Sequence, residues 1–151
     1  MRKYVLTFLL VIMVFSYLGS QEEDLIKIDA SINPWRLSKG NEGSVVLKFN
    51  VKEGITINPQ PSFTIELSPS EELVFSKNFF TASDLEIEIL DDEGIEYLVL
   101  TKQIEIPFMV SDEAERGMHS FEGKVKYFAF SKAGRWCLKT TTLFTASFYT
   151  R

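Results

Sequence analysis

Apolar and polar residues alternate along most of this chain, the pattern of strands that bury one face. In SVVLKFNV (residues 44–51), Val45, Leu47, Phe49 and Val51 fall on one side, and Val46, Lys48 and Asn50 on the other. LIKIDA (25–30), ITIN (55–58), FTIEL (63–67), DLEIEIL (84–90), IEYLVL (95–100) and QIEIPFMV (103–110) read the same way. HSFEGKVKYFAF (119–130) is a long strand and TTTLFTASFYT (140–150) the last. Between them, Asp91-Asp92-Glu93-Gly94 has the composition of a hairpin loop, and Pro59 and Pro61 impose an extended passage. Pro107 places its strand at an edge or a bulge. Residues 68–72 and 111–117 suggest single helical turns, the second stopped by Gly117. No 3.6-residue period is sustained beyond the N-terminal run, so no helix is long enough for a crossover. Seven to nine strands in this length predict an all-β, immunoglobulin-like antiparallel β-sandwich.

The N-terminus reads differently. Arg2 and Lys3 precede an apolar run from Tyr4 to Leu18, followed by Gly19-Ser20-Gln21. This is the layout of a secretory signal peptide over residues 1–20, cleaved after Ser20. The run falls short of the ~20 residues of a membrane span; an uncleaved anchor is the alternative, and only then is a membrane involved. Residues 21–27 form a polar leader and 28–151 the domain, placed in the periplasm or otherwise exported. The chain carries a net charge of −5. Removing Arg2 and Lys3 with the signal makes it more acidic, and no basic stripe stands out, which argues against nucleic-acid partners.

Candidate chemistry is sparse. The one cysteine, Cys137, excludes an internal disulfide. With one histidine, His119, the chain cannot assemble the four ligands of a structural zinc site. Asp91, Asp92 and Glu93 match no calcium-loop spacing and read as a solvated turn. No metal and no cofactor is expected. A Cys137–His119 nucleophile pair is disfavoured because His119 starts a strand beside Gly117, a place for an exposed, idle side chain. What remains is aromatic. Phe128 and Phe130 share a strand face with Lys124 and Lys126, opposite Val125, Tyr127 and Ala129, and Trp136 follows the turn. Tyr127, Phe128, Phe130 and Trp136 are therefore candidate binding residues; the alternative is that they cap the end of the core.

Several stretches are similar to one family. The loop with Gly40 and Gly43 before SVVLKFNV, GITINPQP (54–61), IPF around Pro107 and SDEAERG (111–117) all have counterparts there. Most telling is GKVKYFAFSKAGRWC, where Gly123, Tyr127, Ser131, Trp136 and Cys137 fit. From about Ile28 to Tyr149 the chain resembles the N-terminal periplasmic domain of the bacterial thiol:disulfide interchange protein DsbD and exported proteins similar to it. Ile55 and Thr56 replace an aromatic residue and a histidine of the family pattern, and Phe130 stands where its first redox cysteine would be.

The resemblance implies a module whose two cysteines take electrons from a membrane partner and pass them to exported thioredoxin-like proteins. Residues 130 and 137 facing each other would have Cα atoms roughly 4.5–5.5 Å apart, within disulfide range. With Phe130 in place only Cys137, the candidate catalytic thiol, carries over. The expectation is a redox-degenerate protein-binding domain, leaning away from enzymatic activity, with Cys137 shielded beside Trp136 and Phe130 as a small hydrophobe. The alternatives are thiol–disulfide exchange through Cys137 alone, by mixed disulfides or a disulfide-linked dimer, and a structural envelope domain without catalysis. The partner expected is an exported or membrane protein, with a thioredoxin-like protein among the candidates.

Overall fold

The computed structural model describes residues 24–59 and 63–151. The expected signal peptide, residues 21–23 of the expected leader and Pro61 lie outside the described residues. Twelve strands form among the described residues. β1 (Ile26–Asn33), β3 (Glu42–Val51), β10 (Ile104–Val110) and β6 (Leu73–Val74) make one sheet, in the order β1-β3-β10-β6. β2 (Arg36–Leu37), β12 (Trp136–Thr150), β11 (Gly117–Ser131), β5 (Thr64–Leu67) and β7 (Phe79–Thr81) make the second, with β4 (Ile55–Ile57) also on β11. β8 (Ile89–Asp92) and β9 (Ile95–Leu98) form a separate two-stranded arm.

The order of strands is that of an immunoglobulin sandwich. In chain order β1, β3, β5, β6, β10, β11 and β12 take the places of strands A to G, giving ABED opposite CFG. The chain passes from the first sheet to the second between β1 and β2, and β2 then runs parallel to β12. One departure from that plan is β7, which pairs with β5 but comes after β6 in the chain.

Period-two patterning fills the space between the sheets. Val45, Leu47 and Phe49 of β3 and Ile104, Ile106, Phe108 and Val110 of β10 are buried, facing Phe121, Val125, Phe144 and Phe148 of β11 and β12. Phe49 meets Phe63 edge-on at 6.1 Å, and Phe75 bridges Phe108 and Phe121 at 5.7 and 5.2 Å. Each buried phenylalanine is worth about 1.5–3 kcal/mol relative to exposure. Two of the rings lie over glycines. Phe108 pairs with Gly43 in one sheet and Phe144 with Gly123 in the other. A Cβ at Gly43 would stand 2.8 Å from Phe108 Cζ, so the missing side chain makes room for the ring.

Three expected elements differ. DLEIEIL is not a strand: only Ile89 and Leu90 of it enter β8. Thr81 N–H donates to Asp84 Oδ2 at 2.8 Å, and Asp84 N–H returns a bond to Thr81 Oγ1 at 3.2 Å. Ile87 N–H then reaches back to Ala82 O at 3.0 Å, and Glu86 sits at φ 53°. Leu85 and Ile87 still pack on the core, so the apolar spacing reflects a capped turn lying on the sandwich. Residues 111–117 make one turn, closed by Ala114 N–H to Ser111 O at 3.2 Å, with no helix. Residues 68–72 are likewise non-helical; Ser70 Oγ takes the N–H of Glu72 and Leu73 and steers the chain into β6. At Pro107, β10 pairs only with β3, because β6 reaches only Met109 and Val110.

Candidate functional site

β11 and β12 form the longest ladder in the molecule, running without a bulge from the Gly117–Thr150 pair to the Ser131–Trp136 pair. The alternation along β11 fixes which side chains reach solvent. Val125, Tyr127 and Ala129 are buried, while Lys124, Lys126, Phe128 and Phe130 lie half-buried on the outer face. Lys132 to Arg135 make the turn. Gly134 N–H donates to the Ser131 hydroxyl at 3.0 Å, and Arg135 adopts φ 52°. The Trp136 indole lies against Gly134, where a Cβ would stand 2.5 Å from Nε1. Trp136 remains 39% exposed.

Phe130 is the cross-strand partner of Cys137. Cys137 is a free, exposed thiol, not the shielded hydrophobe expected from its aromatic neighbours. The reason is parity: Cys137 and Phe130 both point to the outer face, and the ring stands beside the thiol without covering it. Tyr127 also differs from expectation. It is 1% exposed and belongs to the core, so it is no part of a docking surface. Burial pushes its phenol pKa up, opposed by the hydrogen bond to Thr142 Oγ1 at 3.0 Å. Phe128 lies under Lys139 Nζ at 5.8 Å. Phe130 borders a shallow cleft with Asn58, Pro59, Gly94, Ile95 and Glu96, where the β8–β9 arm comes alongside.

An ion pair also joins the arm to the tip. Lys132 Nζ is 2.8 Å from Glu93 Oε2, which raises the lysine pKa and lowers that of the carboxyl. Asp91 Oδ1 takes the N–H of Gly94 at 2.9 Å and closes the arm's own turn. His119 is far from this chemistry. Cys137 pairs eleven residues further along β11 than His119, on the order of 35 Å. Nor is His119 idle: its Nε2 lies 2.7 Å from Glu115 O, its Nδ1 3.3 Å from Glu72 Oε1, and its ring lies 5.3 Å from that of Phe148.

The fold also assembles features with no local signature in the sequence. From Gly117 to Thr150 the hairpin carries Lys124, Lys126, Lys132, Arg135 and Lys139 against Glu122 alone. Lys124, Lys126, Lys132 and Arg135 fall within residues 124–135, and strand pairing adds Lys139 opposite Phe128. Glu66 bridges Lys126 at 2.7 Å and Lys124 at 3.0 Å, and both lower its pKa. Along the edge of β12, Asp24, Leu25 and residues 136–141 line an open groove.

No family model and no curated protein matches the chain. Among solved structures it is similar to BcpA, the major pilin subunit of Bacillus cereus, at 11% identity and a TM-score of 0.41, over 81% of this chain. The match spans 40% of the pilin's length. A chain of a type I cohesin–dockerin complex from Clostridium thermocellum matches at 18% identity and a TM-score of 0.39, over 85% of this chain and 100% of that one. A conjugative transposon lipoprotein from Bacteroides eggerthii matches at 11% identity and a TM-score of 0.34, over 81% and 98%.

Proposed function

We propose that this chain is an exported protein-docking module of the DsbD N-terminal type that has lost intramolecular redox chemistry and binds a partner through the tip of the β11–β12 hairpin. The observation that carries the reading is the Phe130–Cys137 pair: an aromatic ring occupies the position from which a second thiol would reach Cys137. Support comes from the motif around Gly123, Tyr127, Ser131, Trp136 and Cys137, and from the signal-like N-terminus. Phe128, Phe130 and Trp136 supply aromatic anchors of the kind that dominate protein interfaces. Binding of an exported thioredoxin-like domain, measured by calorimetry, tests it. Phe128→Ala with Trp136→Ala should weaken binding at least tenfold; unchanged affinity would remove the tip from the interface.

The exposure of Cys137 favours a second reading, exchange through one thiol. Its thiolate attacks a partner disulfide; one S–S bond forms to Cys137 and the other partner sulfur leaves as thiolate. Completing the reduction takes a further thiol, from a second copy or another protein, because this chain has none. Mass spectrometry after mixing with a disulfide-bonded partner should then show a 1:1 adduct through Cys137, and its absence sets this reading aside.

A further inference from the structure

The second sheet carries a row of large side chains at its base, the end away from the hairpin tip. Met118 of β11, Tyr149 of β12 and Arg36 of β2 are neighbours in register on the outer face, while Leu37 beside them turns inward and is buried. Arg36 Cζ lies 4.6 Å from the centre of the Trp35 ring and 5.7 Å from that of Tyr149. Met118 is 63% exposed and Trp35 51%. The next row along the hairpin, Ser120–Ser147, carries no charge. Among the described residues Arg36 has no ion-pair partner. A guanidinium laid on rings still offers its N–H edge to a carboxylate. Trp, Tyr and Arg are the types enriched at interface hot spots, and an exposed cluster of this kind marks an interaction surface.

The matching chemistry stands at the opposite end of the same chain. Residues 84–101, which contain the β8–β9 arm, hold seven acids and no Lys or Arg. Lys77 takes Asp84 and Lys132 takes Glu93. Glu86, Glu88, Asp91, Asp92 and Glu96 are left without ion-pair partners among the described residues. All four residues of β8 are exposed, with Ile89 at 49% and Leu90 at 42%. The arm thus presents apolar side chains among carboxylates, and the base presents apolar and aromatic ones around a guanidinium.

One copy cannot bring the two together. The arm meets the hairpin at Lys132, and the ladder runs on from Ser131 back to Met118, a distance on the order of 40 Å. Two copies can. A two-fold contact would set Arg36 against Arg36, or acidic arm against acidic arm, and like charges oppose it. A head-to-tail contact pairs opposite charges instead. We propose that the row of Trp35, Arg36, Met118 and Tyr149 receives the β8–β9 arm of a second copy of this chain. Each added copy leaves a further arm or row unused, so the association is open-ended unless its rotation closes a ring. The inference does not rest on the reading of the hairpin tip.

Sedimentation of the purified protein tests it. The weight-average mass should rise with concentration past that of a dimer. Arg36→Glu should weaken self-association at least tenfold, and so should Asp92→Lys with Glu96→Lys, which reverses one exposed acid on each face of the arm. Mixed one to one, the two variants should associate again, because one keeps its arm and the other its row. If Arg36→Glu does not fold, the arm variant decides alone. A protein still monomeric at about 1 mM, a mass that stops at the dimer, or association indifferent to both variants overturns the proposal. So does a monomer that binds oligoglutamate through Arg36, which would make a foreign acidic chain the occupant.

Discussion

Phe130 lies directly across the β11–β12 ladder from Cys137, both side chains on the outer face. A ring and a thiol thus hold adjoining positions where two sulfurs would meet the distance range of a disulfide. The pairing makes the first prediction. Phe130→Cys should form an intramolecular disulfide with Cys137 under mild oxidation, seen as a loss of two mass units and of both reactive thiols. Two free thiols after oxidation would mean the register is wrong.

Cys137 should label readily in the native state. Its exposure predicts a rate with a neutral thiol reagent within about tenfold of the unfolded chain. A thiol that stays silent until denaturant is added would place Cys137 in the interior.

The glycines under the phenylalanine rings should resist substitution. Gly123→Ala forces a methyl group into the Phe144 ring, and Phe144 is buried. Overpacking of this kind costs about 1–3 kcal/mol, read as a lower midpoint in urea. Gly54→Ala has open space around it but sits at φ 78°, so its cost is backbone strain alone, about 1 kcal/mol. A Gly123→Ala variant as stable as the parent would show that the ring is not fixed there.

The turn at Asp84 gives a pH signature. The Thr81 backbone N–H, then Lys77 and the Thr81 hydroxyl, hold the Asp84 carboxyl at about 2, below its ordinary 3.8. The unfolded state therefore takes up the proton first. The contribution of this group is present above pH 3.8 and is lost as the pH falls through about 2. Asp84→Asn should be less stable than the parent at pH 6, and the gap should close toward pH 2. A gap that does not change with pH would mean the carboxylate charge is not what holds the turn.

Much of this was legible in the sequence, and the misses have physical causes. Alternation located β3, β10 and β11 because each buries one face against the opposite sheet. The same alternation misled at Leu85 and Ile87, where two core contacts come from a turn held by the side chain of Asp84. The opposition of residues 130 and 137 was implied by the resemblance, whose two cysteines take those positions, and the ladder pairs them. The exposure of Cys137 was not, since it depends on where the outer face of the tip lies relative to the arm. Nor was the place of Lys139, since only pairing sets it across from Phe128 on the face that carries Lys124 and Lys126.

The most direct measurement supplies the purified protein with a disulfide-bonded thioredoxin-like domain, omits every other thiol, and counts the disulfides reduced per molecule over time. With Phe130 beside a solitary Cys137, consumption should stop at or below one linked adduct per chain. Continued reduction over many cycles would contradict it, because electrons would be leaving in pairs from a molecule that owns a single sulfhydryl.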